Sequence, residues 1–215
     1  MVLLAVFWEL TKASGRLRQA QQKIADLGLT NIEFEEADAD DQQFQESQFD
    51  AILCSSAIVY LTDIPKALYQ WYNALKAGGV VAFSCLAESS PTSSVLFREV
   101  VQRYGITIPK PNELLGTHEK CCQMLQSIGF EEIKITNEQF GFYLQDPEAS
   151  WNGNAKSAFG LQEVQWSEQQ VEQCKHEDFA EVNAVLSEQG FGNDVTMFFV
   201  IAYKSHTQTF WKISS

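Results

Sequence analysis

The chain has 215 residues, of which 45% are hydrophobic and 20% charged, as expected of a globular protein with a sizeable core. There are 28 acidic and 15 basic residues, so the formal net charge is −13. Such a charge repels nucleic-acid phosphates and anionic lipid surfaces, and no apolar run has the length of a membrane span, so we expect neither partner.

Strand and helix patterns alternate along the first half of the chain. Met1–Trp8 is an apolar run of strand length, and apolar residues at helical spacing lie between Ser14, a candidate N-cap, and Gly28, a candidate C-cap. The next patterns predict strands at 31–36 and 49–54, a helix at 62–76 with a proline in its first turn, and a buried strand at 80–85. Gly78 or Gly79 is predicted to take the left-handed conformation between that helix and that strand.

The second half continues the alternation. It predicts a helix within 89–105, a helix from Thr117 to a capping Gly129, a strand at 130–140, an aromatic loop at 140–166, a polar helix at 167–189 and a strong last strand at 194–204. We therefore expect an α/β fold, a mostly parallel sheet with helices on both faces, in one domain over 1–215 with a helical and aromatic insertion around 140–190. Ligands of such sheets bind at the carboxyl ends of the strands.

The cysteines do not indicate a metal site or a disulfide framework. They are odd in number and form no CxxC pair, and with the three histidines they give no zinc spacing. Free thiols of this kind favour a reducing, cytoplasmic location.

Three segments in register carry a family resemblance. "LGLTNIEFEEADAD", "FDAILCSSAIVYLTDIPKAL" and "NALKAGGVVAFS", followed by "MLQSIGFEEIKI", resemble the class I S-adenosylmethionine-dependent methyltransferases, above all those that act on small molecules. The resemblance implies a Rossmann-like sheet with strand order 3-2-1-4-5-7-6, an antiparallel last strand, S-adenosylmethionine as cofactor and a small-molecule methyl acceptor.

The resemblance also implies roles for single residues. Asp38 would contact the adenine amino group and Ala39 would lie beside the adenine, while the backbone of Cys54 and Ser55 would follow the methionine part of the cofactor. Two alternatives stay open, because Asp38 also suits a solvated turn and Cys54 also suits simple packing. Glu9 would bind the ribose hydroxyls, although the spacing to the next helix places the expected acidic position two residues later.

The glycine-rich loop that the family carries after its first strand has no counterpart before Met1–Trp8. We therefore expect a chain that is incomplete at its N-terminus, with impaired activity or, alternatively, a non-catalytic, partner-binding role. In the expected strand order, Met1–Trp8 would then slide inward and pair in parallel with Asp50–Ser55, which would withdraw the role of Glu9. Sheet edges left open could also support self-association.

The sequence identifies no catalytic base. His118 and Tyr143 have the right chemistry, but each is equally well explained as a surface or packing residue. Tyr60 could face the donor methyl group, although a tyrosine capping the core with its hydroxyl in water is the preferred interpretation. The aromatic stretch Phe140–Trp166 is predicted to cover an apolar acceptor or, equally, to close the edge of the sheet.

Overall fold

The computed structural model describes residues 7–10, 14–162 and 164–206; for residues 7–10, Ser14 and Arg16 it describes the backbone alone. These residues form six strands: β1 Phe7–Leu10, β2 Ile32–Glu35, β3 Phe49–Cys54, β4 Leu75–Leu86, β5 Phe130–Leu144 and β6 Phe191–Lys204. They also form six α-helices: α1 Ser14–Leu27, α2 Ile64–Ala74, α3 Thr92–Arg103, α4 His118–Ile128, α5 Pro147–Ala155 and α6 Glu168–Ala184. A 3₁₀ turn, Ile58–Tyr60, lies between β3 and α2.

The strands form two sheets. One is the parallel pair β1-β2, and the other has the order β3-β4-β6-β5. β3 and β4 are parallel, whereas β6 is antiparallel to both of its neighbours. The expected α/β architecture with an antiparallel last strand is therefore confirmed, but the sheet is mixed rather than mostly parallel, and the expected strand order holds within each of the two sheets.

The predicted inward shift of the first strand is wrong for the residues that can be described. Phe7 and Trp8 pair in parallel with Ile32 and Glu33 of β2, not with Asp50–Ser55. Residues 1–6 of the predicted strand lie outside the described residues. Within the described chain β3 pairs with β4 alone, and Leu53 on this strand is 70% exposed. Among the described residues, no strand covers this edge of the four-stranded sheet, because Phe7–Leu10 pair with β2.

Glycines end two helices where the sequence predicted it. α1 runs from Ser14 to Leu27 and is followed by Gly28 with φ +64°, and α4 ends at Gly129 with φ +113°. α2 is shorter than predicted, since it ends at Ala74 and the extended chain of β4 begins at the next residue. Gly78 does take a positive φ, of 73°, but inside β4. α6 is also shorter, ending at Ala184.

Two hydrophobic clusters hold the elements together. The larger one packs α2 and α4 against the four-stranded sheet and includes Leu68, Leu125 and Val81, each fully buried. The smaller one joins α3, α5 and α6 through Phe97 and Trp151, whose rings meet edge to face. All five cysteines are free thiols. No helix among the described residues is long and apolar enough to cross a membrane, and no metal-ligating cluster occurs among them.

Candidate functional site

A cavity of about 330 Å³ lies at the carboxyl ends of β3 and β4. Ser56, which follows β3, and Ser84 and Cys85 near the end of β4 form its floor, as expected for a ligand site at this edge of a parallel sheet. The helix α3 and the segment after α5 supply the opposite wall. Its volume is near the lower end of the usual 300–1,000 Å³ range for small-molecule sites.

A pair of serines shapes the floor of the cavity. The backbone N–H of Ser56 donates to Oγ of Ser84 at 2.9 Å, and the two hydroxyl oxygens are 3.1 Å apart. Ser56 has φ +52°, a conformation that is uncommon outside glycine, and the buried Ser84 side chain holds it there. The turn after β3 therefore presents small, exposed residues, including Ser55, over which a ligand can lie close to the backbone.

The loop after β2 is fastened to the same side of the molecule. Oδ1 of Asp38 accepts the N–H of Asp40 at 3.1 Å, and Asp40 in turn accepts the N–H and the hydroxyl of Thr62 at 2.9 and 2.8 Å. Thr62 follows the 3₁₀ turn that leads away from β3. These bonds bring Asp38 and Ala39, both half-buried, to the edge that also carries the end of β3. The turn-capping and ligand-binding roles of Asp38 are compatible, because one carboxylate accepts several hydrogen bonds.

The other two predicted positions are placed by their strands. Glu9 lies in β1 opposite Phe34, one residue before the end of the paired region and thus at the carboxyl end of the β1-β2 pair. Cys54 is the last residue of β3 and pairs with Phe83. Burial raises the pKa of its thiol, partly opposed by the N–H of Ala57, which favours the protonated thiol.

Aromatic rings stand at the cavity as well as in the core. Tyr60 and Phe159 are stacked, with ring centroids 5.2 Å apart and planes 20° apart, and both line the cavity. The segment predicted as one aromatic loop is in fact divided: Phe140–Leu144 extends β5, Trp151 on α5 is buried in the smaller core, and Phe159 reaches the cavity. The aromatic residues of β5 are about half exposed on the last strand of the sheet and do not close its edge, whereas Phe159 lies at the cavity.

Neither candidate base lies at the cavity. The ring of His118 contacts Phe198 edge-on at 4.8 Å, and Tyr143 lies on β5 opposite Gly192 with its side chain 53% exposed. Their ordinary packing or surface interpretation therefore accounts for both.

Two cavity residues escaped the sequence prediction. Arg98 on α3 is half-buried, and Asn112 in the following loop is 7% exposed, with an Oδ1 atom that is buried without a hydrogen-bond partner. Arg98 gave no signal in the sequence, since an arginine in a mixed polar and apolar helix is ordinary. Asn112 gave none either, because an asparagine between prolines and charged residues is ordinary in a loop.

Comparison with known proteins agrees with this geometry. A family model described as "Methyltransferase domain" matches residues 10–79. The ubiquinone/menaquinone biosynthesis C-methyltransferase UbiE of Rickettsia bellii is 32% identical over 133 residues, which cover 59% of this chain and 52% of the relative. Both matches support the resemblance of the chain to the class I, Rossmann-like S-adenosylmethionine-dependent methyltransferases. It spans about half the length of the curated relatives it matches.

Solved methyltransferase-like structures share the fold. The YcgJ protein of Bacillus subtilis superposes with a TM-score of 0.59 at 14% identity, covering 94% of each chain. Phosphoethanolamine N-methyltransferase 2 of Haemonchus contortus, solved with S-adenosyl-L-methionine, gives 0.50 at 14% identity, covering 94% of this chain and 49% of the other. Likenesses at this identity concern the fold, while the family match and the relatives support S-adenosylmethionine as the cofactor.

Proposed function

We propose that this protein transfers a methyl group from S-adenosylmethionine to a small molecule held in the 330 Å³ cavity. The observation that carries the proposal is the position of the cavity beside the small-residue turn after β3, at the edge where an α/β sheet binds its ligands. The relative from Rickettsia bellii is named for C-methylation in quinone biosynthesis, which favours a ring-containing acceptor here too.

The residues at this edge fit the cofactor chemically. Asp38 would accept hydrogen bonds from the adenine amino group beside Ala39, and Glu9 would accept them from the ribose hydroxyls. Cys54 and Ser55 would carry the methionine part along their backbone, because their side chains are small and Ser55 is exposed. The cofactor, when bound, supplies an electrophilic methyl group on a sulfonium.

The chain contributes orientation and the exclusion of water to this reaction. The stacked rings of Tyr60 and Phe159 form an apolar wall, which would hold a flat acceptor and keep water from the transferring methyl group. The Ser56–Ser84 bonds keep the turn after β3 in one conformation. The described cavity offers serines and Asn112 for orienting polar groups, and methyl transfer itself needs no base unless the acceptor must lose a proton.

Calorimetric titration with S-adenosylmethionine, together with transfer of labelled methyl groups, tests the proposal. In Asp38→Ala the cofactor should bind about 10- to 100-fold more weakly, since a hydrogen bond to a charged group contributes about 1.5–3 kcal/mol. Asp38→Asn keeps an oxygen for the turn and should separate cofactor binding from loop structure. Asp41→Ala is the matched control, because Asp41 is exposed in the same loop. Equal affinities for wild type and Asp38→Ala would remove Asp38 from the site.

A non-catalytic, partner-binding role is the second candidate, and the open edge of β3 favours it. Leu53 is 70% exposed there, and this edge, which no described strand covers, could accept a strand of another chain. A folded protein that neither binds S-adenosylmethionine nor transfers methyl groups would support this role over the first.

A further inference from the structure

Arg98 is a half-buried cation at the cavity without an anionic partner in the described part of the chain. Its guanidinium makes no hydrogen bond or ion pair there, and burial lowers its pKa, an effect opposed by the charge of neighbouring Glu99. Lys120, by comparison, pairs with Glu88, and Arg103, on the same helix, pairs with Glu181. In a chain with 28 acidic and 15 basic residues, a half-buried arginine left without a carboxylate is unexpected.

Asn112 places a second unsatisfied group beside Arg98. It is 7% exposed, and its Oδ1 atom is buried without a hydrogen-bond partner, which costs free energy unless a ligand or water supplies a donor. Arg98, Pro111 and Asn112 line both the 330 Å³ cavity and a neighbouring one of about 430 Å³. They therefore stand together at the boundary between the two cavities, where a bound molecule would meet both polar groups.

The rest of the 330 Å³ cavity is suited to a ring. Besides the stacked Tyr60 and Phe159, its walls include Val59, Phe97, Ile108 and Met197. Flat aromatic groups pack well between such side chains, and the small volume limits the ligand to a compact molecule.

We propose that the methyl acceptor is a small hydroxylated aromatic acid whose carboxylate pairs with Arg98 and whose hydroxyl hydrogen-bonds to the side-chain amide of Asn112. Arginine is suited to the first contact because its planar N–H groups match both oxygens of a carboxylate. The negative field of the protein opposes the approach of an anion, so binding should depend strongly on this one local cation. That this ligand accepts a methyl group rests on the proposed function, but its binding can be measured without a methyl donor.

Ligand binding by calorimetry tests the assignment on the whole protein without cofactor. The probes are 4-hydroxybenzoate and 2-hydroxybenzoate, their neutral methyl esters, and benzoate. At least one hydroxybenzoate should bind more tightly than its ester. Arg98→Gln should weaken its binding about tenfold or more, with a smaller loss in Arg98→Lys, since the charge is kept but the paired donors are not. Asn112→Ala should remove the advantage of the hydroxybenzoate over benzoate.

Arg103→Gln is the matched control, because Arg103 lies on the same helix but pairs with Glu181 and does not line the cavity. This variant should bind the hydroxybenzoate as tightly as the wild type does. Thermal unfolding of each variant separates lost binding from lost folding. Esters that bind as tightly as the acids, equal losses in Arg98→Gln and Arg103→Gln, or no binding of either hydroxybenzoate at millimolar concentration would each overturn the proposal. Methyl transfer to a neutral acceptor alone would support the proposed function and refute this inference. Binding of the acid without any methyl transfer would support the binding site described here and refute the proposed function.

Discussion

Replacing Asp178 should stabilise the protein above about pH 5, and progressively less as the pH falls below that. Asp178 lies on α6 with 1% of its surface exposed, and both carboxylate oxygens are buried without a hydrogen-bond partner. Burial, aided by the negative charge of Glu181, raises the pKa of this carboxyl to about 6 from its ordinary value of 3.8. The folded state therefore holds the proton more tightly than the unfolded state does.

The magnitude follows from linkage between protonation and folding. A shift of about 2 pKa units corresponds to about 3 kcal/mol, the cost of burying the ionised carboxylate above the folded-state pKa. Below about pH 4 the group is protonated in both states and the cost vanishes. As the pH rises from about 4 to 6 the wild type loses this stability, and above that range the loss is complete. An amide at this position carries no charge, so Asp178→Asn should gain about 2 kcal/mol at pH 8, less than the full amount because the buried amide also lacks partners.

Urea unfolding of wild type and Asp178→Asn at pH 8, 6 and 4.5 measures the difference. The gain should be largest at pH 8 and should shrink towards zero at the lowest pH. Glu172→Gln is the control, because Glu172 is exposed on the same helix and its replacement should change stability by less than about 0.5 kcal/mol at any pH. A difference between Asp178→Asn and wild type that does not vary with pH, or a loss of stability at pH 8, would contradict the reasoning.

Two further outcomes follow from the backbone of the fold. Gly129→Ala should destabilise the protein by about 1–2 kcal/mol in urea unfolding, because φ is +113° and a Cβ there would lie 3.2 Å from the Tyr72 hydroxyl. Gly153→Ala is the control and should not destabilise the protein, because Gly153 is exposed and its φ is not positive. Leu53→Lys should reduce concentration-dependent self-association in analytical ultracentrifugation, since a lysine on an exposed edge strand opposes strand pairing. Leu27→Lys, at a similarly exposed leucine on α1, is the control and should not reduce it. Equal effects of the two substitutions would exclude the β3 edge as the contact.

Local patterns in the sequence determined the elements and their order. The apolar spacing between Ser14 and Gly28 predicts α1, and the αL glycine at 129 predicts the end of α4, because helix period and backbone freedom are properties of neighbouring residues. The succession of strand and helix patterns, together with three segments in register, was sufficient for the fold class and the family. It also predicted Asp38, Ala39, Cys54 and Ser55 at one edge, since the carboxyl ends of parallel strands lie together.

Pairing and burial needed the tertiary structure. The partner of Phe7–Leu10 is β2 rather than β3, and an apolar run of strand length has no local feature that tells one parallel neighbour from another. The roles of Arg98 and Asn112 were likewise hidden, because an arginine in a helix and an asparagine in a loop are ordinary until their partners are known. Only packing shows that, among the described residues, one is a half-buried cation without a hydrogen-bonded carboxylate and the other a buried oxygen without a donor. Both properties depend on which distant segments come together, and that is set by the whole chain rather than by any short stretch of it.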